Sequence, residues 1–367
     1  NLLQYKPNGN MYDTVVIGAG PSGSTTAWKL GEKGKNVALL ERNEFAGKTN
    51  VCAGGIGPET FSALGITEKV IEKKLKGMLI RTENGAVKKD KRAYLTVRRR
   101  IFDQTMAKKA ASECDYFTSM PVTKIERIGT NWAVYSGEKK FKTRTIVFAD
   151  GVSSKLRKKF EIGFIPNKKN CYLALTKKFC ANQTPENIEM VFDKKTSPAG
   201  YGWMFPKKNH VNIGTCVLLA ENKGITKNID YLIKNYYSSF NQSGCFETNA
   251  SLIPARIAGK ISDARGIVCV GDAAGFVAPL TGEGIGPGII SGAIAAKALN
   301  FALEKNDISL TKTFDFEMKK TSQYRTFSAQ SKALALLGTS ATYHLLHPSI
   351  LVRNFSQKAI NTLKTII

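Results

Sequence analysis

Residues 12–41 read YDTVVIGAGPSGSTTAWKLGEKGKNVALLE, a strand, a glycine-rich turn, a helix and a second strand in succession. Gly18, Gly20 and Gly23 match the pattern G-x-G-x-x-G directly after the apolar strand, where a dinucleotide fold has its phosphate-binding turn. The first glycine permits the tight turn, the second admits a pyrophosphate to the backbone, and the third lets helix and strand pack closely. The sequence therefore predicts that this chain binds a dinucleotide.

The end of the second strand, 37–40, strengthens this prediction. Glu41 follows it, at the place where a carboxylate accepts hydrogen bonds from an adenosine ribose. Arg42, the next residue, is a further candidate for cofactor binding.

Length and charge narrow the class of protein. A chain of 367 residues with 43% apolar composition predicts about two domains. Lys and Arg number 54 against 29 acids, a net charge of +25 that is spread along the chain. This charge favours an anionic partner such as a membrane surface, an acidic protein or a phosphorylated substrate, and it is equally typical of a solvated lysine-rich surface. Nucleic acid is the least supported partner, because no nucleic-acid-binding motif accompanies the charge.

Seven dispersed cysteines without a C-x-x-C pair predict a reducing compartment, with no disulfide framework and no zinc or other metal site. The polar residues 1–10 do not resemble a signal peptide, so a cytoplasmic location is expected. The most apolar stretch, 285–303, contains three glycines, a proline and Lys297, which is more typical of a buried helix than of a membrane span.

Hydrophobic periodicity predicts the order of elements. Two helices are expected within 59–75, followed by short strands at 78–81 and 93–96 and by a helix that buries Phe102, Met106, Ala107 and Ala110. A hairpin, 132–135 with 140–144, precedes a separate apolar strand at 145–149. Residues 172–252 read as antiparallel strands with a helix at 228–240, and 308–367 read as helical.

Two further motifs suit a flavin. A short strand, 267–270, ends in Gly271 and Asp272, whose carboxylate can accept hydrogen bonds from ribityl hydroxyls. The Gly282–Gly286 loop that follows offers backbone N–H groups to phosphate or to the electron-rich edge of a ring. Residues 146–157, IVFADGVSSKLR, place Asp150 beside Gly151 after another apolar strand.

The three motifs, in this order, resemble the FAD-binding pattern of p-hydroxybenzoate-hydroxylase-like flavoproteins. The resemblance implies FAD, with the first motif on the ADP half, Asp150 in the middle motif and Asp272 with Gly282, Gly284 and Ile285 on the flavin half. It also implies that Arg99, three residues before Phe102-Asp103, contacts the cofactor, although Arg98 and Arg100 flank it. A nicotinamide must bind without its own Rossmann unit, because no second such unit is present.

Two stretches favour a particular reaction. Cys52 lies in a glycine-rich loop, and Tyr201, Trp203 and Phe205 recur at period 2, so their rings share one face of a strand. C-x-G-G at 52–55 and Y-x-W-x-F-P at 201–206, followed by Lys207, resemble the geranylgeranyl reductase family. This implies FAD-dependent saturation of carbon–carbon double bonds in polyprenyl lipids or prenyl diphosphates, with Cys52 near the flavin. The expected substrate-binding residues are Gly54, Gly55, Tyr201, Trp203, Phe205 and Pro206.

Mechanistically, the prediction is hydride transfer from reduced flavin to one olefinic carbon and protonation of the other. Cys52 and a flavin-held water are both candidates for the proton donor, and Cys52 is the candidate catalytic side chain. The electron donor is left open between NAD(P)H and an acidic carrier such as a ferredoxin, which the positive surface would suit. Two other functions remain open: an aromatic monooxygenase or halogenase, and an electron-transfer flavoprotein partner.

The predicted architecture is α/β: a Rossmann-like FAD-binding domain interleaved with a mainly antiparallel-sheet substrate domain, plus a helical C-terminal tail. The FAD-binding domain is expected at 11–75, 97–165 and 262–305, the substrate domain at 76–96 and 166–261, and the tail at 306–367. Within the tail, Leu351, Phe355, Ile360 and Leu363 share a helical face flanked by basic residues. This face predicts a peripheral position on an anionic membrane, or packing onto the domain.

Overall fold

The computed structural model describes residues 11–48, 51–85, 87–240 and 244–345, and it arranges them as three sheets with helices. The first sheet begins with the predicted dinucleotide unit: β1 (Tyr12–Ile17) pairs in parallel with β2 (Val37–Leu40) and with β11 (Lys139–Phe148). β8 (Asp115–Phe117) extends this sheet in parallel beyond β2. The apolar run Val15–Ile17 is buried, as a parallel strand covered on both faces requires.

The far edge of β11 is shared by two partners. β10 (Asn131–Ser136), itself paired with β9 (Lys124–Ile128), is antiparallel to the first half of β11, and β17 (Ile267–Cys269) is parallel to the second half. The prediction of separate strands at 140–144 and 145–149 was therefore wrong. Burial alternates in the first half and is continuous in the second, because the second half lies between two parallel strands.

The second sheet has seven strands and two apolar faces. Its order is β16 (Cys245–Pro254), β12 (Cys171–Cys180), β15 (His210–Leu218), β14 (Tyr201–Pro206), β13 (Asn187–Phe192), β5 (Gly77–Thr82) and β6 (Val87–Asp90). All neighbours are antiparallel except β13 and β5, which are parallel. One face packs on α4 (Ile225–Tyr236), which begins and ends earlier than the predicted 228–240 helix. The opposite face carries the side chains of β14 that were expected to bind substrate.

A third, small sheet consists of β3 (Gly55–Ile56), β7 (Tyr94–Val97) and β4 (Ile71–Leu75), and β5 and β6 of the second sheet lie between β4 and β7 in the sequence. Here the prediction of two helices within 59–75 was wrong. α2 (Pro58–Ala63) is helical, but 68–70 form one 3-10 turn and 71–75 are β4. Pairing with β7 outweighs the helix preference of the Glu-Lys-Lys sequence in β4.

The helices flank the first sheet. They are α1 (Pro21–Gly31), α3 (Arg99–Ala111), α5 (Ile285–Glu304), α6 (Thr313–Lys320) and α7 (Ser322–Leu345). α1 and α5 approach closely through small residues: a Cβ on Gly292 would overlap the carbonyl of Ser22, and the Thr26 hydroxyl donates to the Gly292 carbonyl at 3.2 Å. The buried face predicted for α3 is confirmed, since Phe102, Met106, Ala107 and Ala110 are all buried. The amphipathic stretch at 351–364 lies outside the described residues.

α5 is long and apolar enough to cross a membrane, but 83% of its apolar window is buried inside the protein. The prediction of a buried helix in this stretch is thus confirmed, and the α/β architecture of the chain is as expected.

Candidate functional site

The three predicted cofactor motifs meet at one edge of the first sheet. β1, β11 and β17 are neighbouring parallel strands, and their carboxyl ends lead into Gly18, Asp150 and Asp272 respectively. Loops at the carboxyl ends of parallel strands form the ligand crevice of open α/β sheets. Segments that are distant in sequence therefore form one candidate site.

The glycine turn has the geometry of a phosphate cradle. Gly18 has φ +105°, and a Cβ on it would overlap the carbonyl of Ala149. A Cβ on Gly23 would overlap the carbonyl of Gly18, so helix and strand touch at this point. Gly20, by contrast, faces open space with no atom within 4 Å of its Cβ position, immediately before α1 begins at Pro21. The residues present therefore fit the pyrophosphate of a dinucleotide, which would fill the space beside Gly20.

Glu41 ties the second strand to the glycine turn. Its side chain accepts hydrogen bonds from the backbone N–H of Ala19 at 3.1 Å and from the backbone and amide N–H groups of Asn43, each at 2.9 Å. A carboxylate has about four acceptor sites, so these bonds leave capacity for a ribose hydroxyl. Glu41 itself is 7% exposed, whereas the adjacent Arg42 lines the cavity described below.

Arg157 organises the loop after β11. It is fully buried, and its guanidinium donates hydrogen bonds to the carboxylate of Asp150 and to the carbonyls of Gly151, Val152 and Phe164. Burial raises the pKa of Asp150, and the positive charge of Arg157 opposes this rise. Arg157 is thus a residue that positions Asp150, a role that its place in the predicted DG motif did not reveal.

The turn after β17 is fixed to the start of α5. The Ser291 hydroxyl accepts a hydrogen bond from the N–H of Gly271 at 2.9 Å and donates one to the carbonyl of Gly288 at 2.8 Å. The Asp272 Oδ1 atom lies 3.4 Å from the position of a Cβ on Gly284, so the Gly-Asp turn and the glycine loop are in contact. Burial raises the pKa of Asp272, with Arg99 and Arg157 acting in the opposite direction.

The three consecutive arginines at the start of α3 have different environments. Arg98 pairs with Glu72 at 2.8 Å, and the guanidinium of Arg100 stacks 4.6 Å from the ring centre of Phe45. Arg99 makes a bidentate pair with Asp103, with distances of 2.8 and 2.9 Å, and it is the arginine of the three that lines the cavity. Its position therefore suits the cofactor contact that the sequence predicted for it.

The loop that carries Cys52 rests on a buried lysine. Cys52 is exposed, and its Sγ accepts a hydrogen bond from the N–H of Gly54 at 3.3 Å. Lys207 Nζ donates to the carbonyl of Val97 at 3.0 Å, lies 3.7 Å from Glu72 and would be 2.9 Å from a Cβ on Gly54. Burial lowers the pKa of Lys207 to about 8, opposed by the negative charge of Glu72. Lys207 therefore packs against the C-x-G-G loop.

The predicted aromatic face is present on β14. Tyr201 and Trp203 have ring centres 5.8 Å apart, and the Trp203 indole N–H donates to Asn212 Oδ1 at 3.0 Å. Phe205 contacts the C-x-G-G loop, since its Cε1 atom would lie 2.6 Å from a Cβ on Gly55. The Tyr201 hydroxyl donates to the carbonyl of Thr281 at 2.6 Å, which joins the aromatic face to the glycine loop before α5.

One cavity of about 650 Å³ connects these elements, a volume typical of a small-molecule site. The predicted site residues that line it are Gly20, Arg42, Cys52, Gly54, Gly55, Arg99, Asp150, Tyr201, Trp203, Phe205, Asp272, Gly282, Gly284 and Ile285. The other predicted site residues are not part of this lining: Gly18, Gly23, Glu41 and Pro206. Apart from Ser251, the rest of the wall that the second sheet contributes is apolar and includes Met78, Ala174, Ile188, Met190 and Leu252.

Glu283 also lines the cavity, and sequence reasoning missed it. Burial raises the pKa of this carboxyl to about 7, with the positive charge of Arg92 acting against the rise. Its signal in the sequence is an acid between Gly282 and Gly284, within a loop that was considered for its backbone N–H groups alone.

Family models and known proteins show what this chain resembles. A lycopene cyclase protein family model matches residues 13–172, and a geranylgeranyl reductase catalytic domain model matches residues 169–253. The chain thus resembles geranylgeranyl reductases in residues 169–253. It is 28% identical over 313 residues to digeranylgeranylglycerophospholipid reductase 1 of Methanopyrus kandleri, covering 81% of this chain and 83% of that protein. It is 29% identical to geranylgeranyl diphosphate reductase of Rhodobacter capsulatus, covering 78% and 74% respectively.

Solved structures with the same fold are also known. A geranylgeranyl bacteriochlorophyll reductase-like protein from Thermoplasma acidophilum superposes with a TM-score of 0.82 at 20% identity, covering 98% of this chain and all of that one. A flavin-dependent brominase superposes with a TM-score of 0.75 at 17% identity, covering 97% and 98%. At these identities the likeness concerns the fold, which reductases and halogenases share.

Proposed function

We propose that this chain is an FAD-dependent reductase that saturates carbon–carbon double bonds in polyprenyl groups of lipids or prenyl diphosphates. The observation that carries the proposal is the single cavity that joins the phosphate cradle at Gly20 to the aromatic face of β14. A polyprenyl chain is flexible and apolar, and a wall of aromatic and aliphatic side chains offers it contact without hydrogen-bonding demands.

We assign each half of the cavity to one ligand. Residues 11–75, 97–165 and 262–305 would hold FAD: the backbone at Gly20 faces the pyrophosphate, Glu41 the ribose, and Asp272 the ribityl hydroxyls. Arg42, Arg99, Asp150 and the Gly282, Gly284, Ile285 loop complete that half. Residues 76–96 and 166–261 would hold the substrate, with Tyr201, Trp203 and Phe205 against the prenyl chain and Gly54 and Gly55 beside them.

Bound FAD, once reduced, supplies hydride for addition to an alkene. The protein has to align the double bond and exclude water. Trp203 and Tyr201 are 5% and 6% exposed, so the rings that would orient the alkene are held rigidly and away from solvent. Cys52, on the loop that Lys207 and Phe205 support, would contribute to the wall next to the flavin ring.

The test is an anaerobic assay with the FAD-loaded enzyme, reduced by dithionite and mixed with geranylgeranyl diphosphate or a geranylgeranyl phospholipid. We expect the product to gain two hydrogen atoms per double bond, detected by mass spectrometry. An unchanged lipid from both substrates would overturn the proposal. Substrate-dependent consumption of oxygen with hydroxylated or halogenated product would instead support the monooxygenase or halogenase function.

We also propose that the protein works at an anionic membrane surface, where its substrate would be found. Support comes from the net charge of +25 and from Phe316 on α6, which is 60% exposed with Lys320 Nζ 3.9 Å from its ring centre. Co-sedimentation should be strong with phosphatidylserine vesicles at low salt and weak with phosphatidylcholine vesicles. Equal binding to both kinds of vesicle would contradict this proposal.

The same positive charge suits an acidic electron carrier as the donor of electrons to the flavin, and NAD(P)H remains the other candidate donor.

A further inference from the structure

Glu283 occupies the junction of the two halves of the cavity. It lies two residues after Thr281, whose carbonyl accepts a hydrogen bond from the Tyr201 hydroxyl, and two residues before the start of α5. Its Oε1 atom is 3.1 Å from the position of a Cβ on Gly286, so the carboxyl lies over the first turn of that helix. The aromatic face and the Gly-Asp turn are therefore its neighbours across the cavity.

The side chain of Glu283 is half-buried, and among the described residues no hydrogen bond or ion pair engages it. The other acidic groups of the cavity are differently placed. Asp150 is bound by Arg157, and the hydroxyls of Tyr94 and Tyr201 donate to Asp90 and to a backbone carbonyl. Glu59 is exposed to solvent, and no histidine is among the described lining residues. Asp272 also lines the cavity, but we assign it to the ribityl hydroxyls of FAD. Of the acids in the lining, Glu283 is therefore the partly buried carboxyl that is left for the substrate.

We propose that Glu283 is the catalytic acid that protonates the substrate alkene. This inference rests on the proposed function. The π bond of the alkene breaks, hydride from bound reduced FAD forms one new C–H bond, and the proton of the Glu283 carboxyl forms the other. The two electrons come from the reduced flavin, and the Glu283 carboxylate that remains takes up a proton from water when the product leaves. On this proposal Cys52, which is exposed, is part of the cavity wall and does not donate the proton.

The charges around Glu283 are consistent with this role. Arg92 is the nearest cation, but it is paired with Asp90 at 2.7 Å, which offsets much of its charge. The N-terminus of α5 favours the carboxylate. Burial raises the pKa of Tyr94 and of Tyr201, so both are neutral at physiological pH, and Asp272 lines the same cavity. Burial dominates and raises the pKa to about 7. The protonated form therefore prevails below about pH 7, and the rate of alkene saturation should fall as the pH rises through that value.

The experiment compares Glu283→Gln, which keeps the size of the side chain, with Glu283→Asp and with Glu138→Gln on the exposed turn between β10 and β11. Each enzyme is loaded with FAD, reduced with dithionite and mixed anaerobically with geranylgeranyl diphosphate. We expect Glu283→Gln to saturate the substrate at least about 100-fold more slowly, with unchanged flavin content and substrate affinity. Glu283→Asp should retain a rate that still falls with pH, and Glu138→Gln should behave as the wild type.

A second readout does not depend on turnover. In the oxidised enzyme, the infrared C=O band of a protonated carboxyl should disappear as the pH rises through about 7, and Glu283→Gln should lack this band. Wild-type rates in Glu283→Gln, or a loss of flavin that explains its lost activity, would overturn the role of Glu283. A wild type that leaves every polyprenyl unchanged would overturn the proposed function, whatever the infrared titration shows.

Discussion

The two ends of the cavity, which we propose to hold FAD and the substrate, would recognise these ligands by different means. At the FAD end, the features that matter are backbone groups and the absence of side chains: the crowded Gly18 and Gly23 surround Gly20, which faces open space. At the substrate end, large side chains such as Trp203 and Tyr201 form a rigid wall. A backbone cradle tolerates almost no added atom, whereas a wall of side chains loses affinity in proportion to the contact that is removed. The two ends should therefore differ in how they respond to substitution.

The largest effect is expected for Gly23→Ala. The added Cβ would overlap the carbonyl of Gly18 and lie 2.9 Å from the Cβ of Ala149, so α1 must move away from β1. We expect FAD affinity to fall at least about 100-fold and the free energy of unfolding to fall by about 1–3 kcal/mol. Flavin fluorescence titration and urea unfolding measure these quantities.

The matched control for this change is Gly34→Ala, on the turn after α1. Gly34 has φ +70° but no atom within 4 Å of its Cβ position, so alanine there costs about 1 kcal/mol in backbone strain and leaves FAD affinity intact. If Gly23→Ala binds FAD as well as Gly34→Ala, the cradle is not where the dinucleotide binds.

A smaller effect on binding is expected for Trp203→Ala. Removing the indole takes away the central ring of the aromatic face, so we expect substrate affinity to fall about 10-fold while FAD affinity is unchanged. The free energy of unfolding should fall by about 3–5 kcal/mol, because a buried aromatic side chain is lost.

Trp132→Ala on β10 separates these two consequences. Trp132 is also buried on a strand, and its indole N–H donates to the carbonyl of Arg265 at 2.9 Å, but it does not line the cavity. It should destabilise the protein to a similar extent and leave substrate affinity unchanged. If Trp203→Ala and Trp132→Ala bind the substrate with equal affinity, the aromatic face stabilises the fold but does not bind the substrate.

The last prediction concerns the pH dependence of stability and depends on Lys207, which packs against the loop between the two ends. Its pKa is lowered to about 8 in the folded protein from 10.5, so between these values the unfolded chain binds more protons. The free energy of unfolding should therefore gain roughly 1–3 kcal/mol from this group as the pH rises from about 8 to 10.5. Below pH 8 the buried lysine is charged in both states, and the cost of burying that charge is fully present.

Urea unfolding over this pH range should show the gain in the wild type and in Lys208→Met, whose lysine is the exposed neighbour. Lys207→Met should lack it, because the titrating group is gone. A parallel pH dependence in all three proteins would show that Lys207 does not titrate in this range.

The same contrast explains what the sequence reveals. Gly18, Gly20 and Gly23 were predictable because each has a backbone requirement that depends on its immediate neighbours. The bounds of β2 and the buried face of α3 were predictable from local periodicity as well. The residues that line the cavity from β12, β13 and β16 carried no such signal, since an apolar strand looks alike whether it faces a core or a ligand.

The wrong predictions also have physical reasons. Residues 71–75 form β4 because β7 provides them with backbone hydrogen-bond partners. The local sequence IEKKL gives no indication that it will pair with this distant strand. Residues 139–148 form one strand because β10 pairs with the first half of β11 and β17 with the second half. This pairing depends on the tertiary structure and is not visible in the local sequence. Glu283 was missed because the environment of its carboxyl depends on Arg92, Tyr94 and the second sheet, all far from it in sequence.

The pairing of β17 with β11 has a consequence for biosynthesis. The cavity needs both the turn at Gly20 and the loop at Gly284, so it cannot close until the ribosome has made the chain between them, which takes roughly 15–50 s at typical elongation rates. Until then the carboxyl ends of β1 and β11 lack the strand and helix that complete the crevice. If FAD occupies this cavity as proposed, we expect it to bind only after the chain as far as Gly284 has emerged from the ribosome.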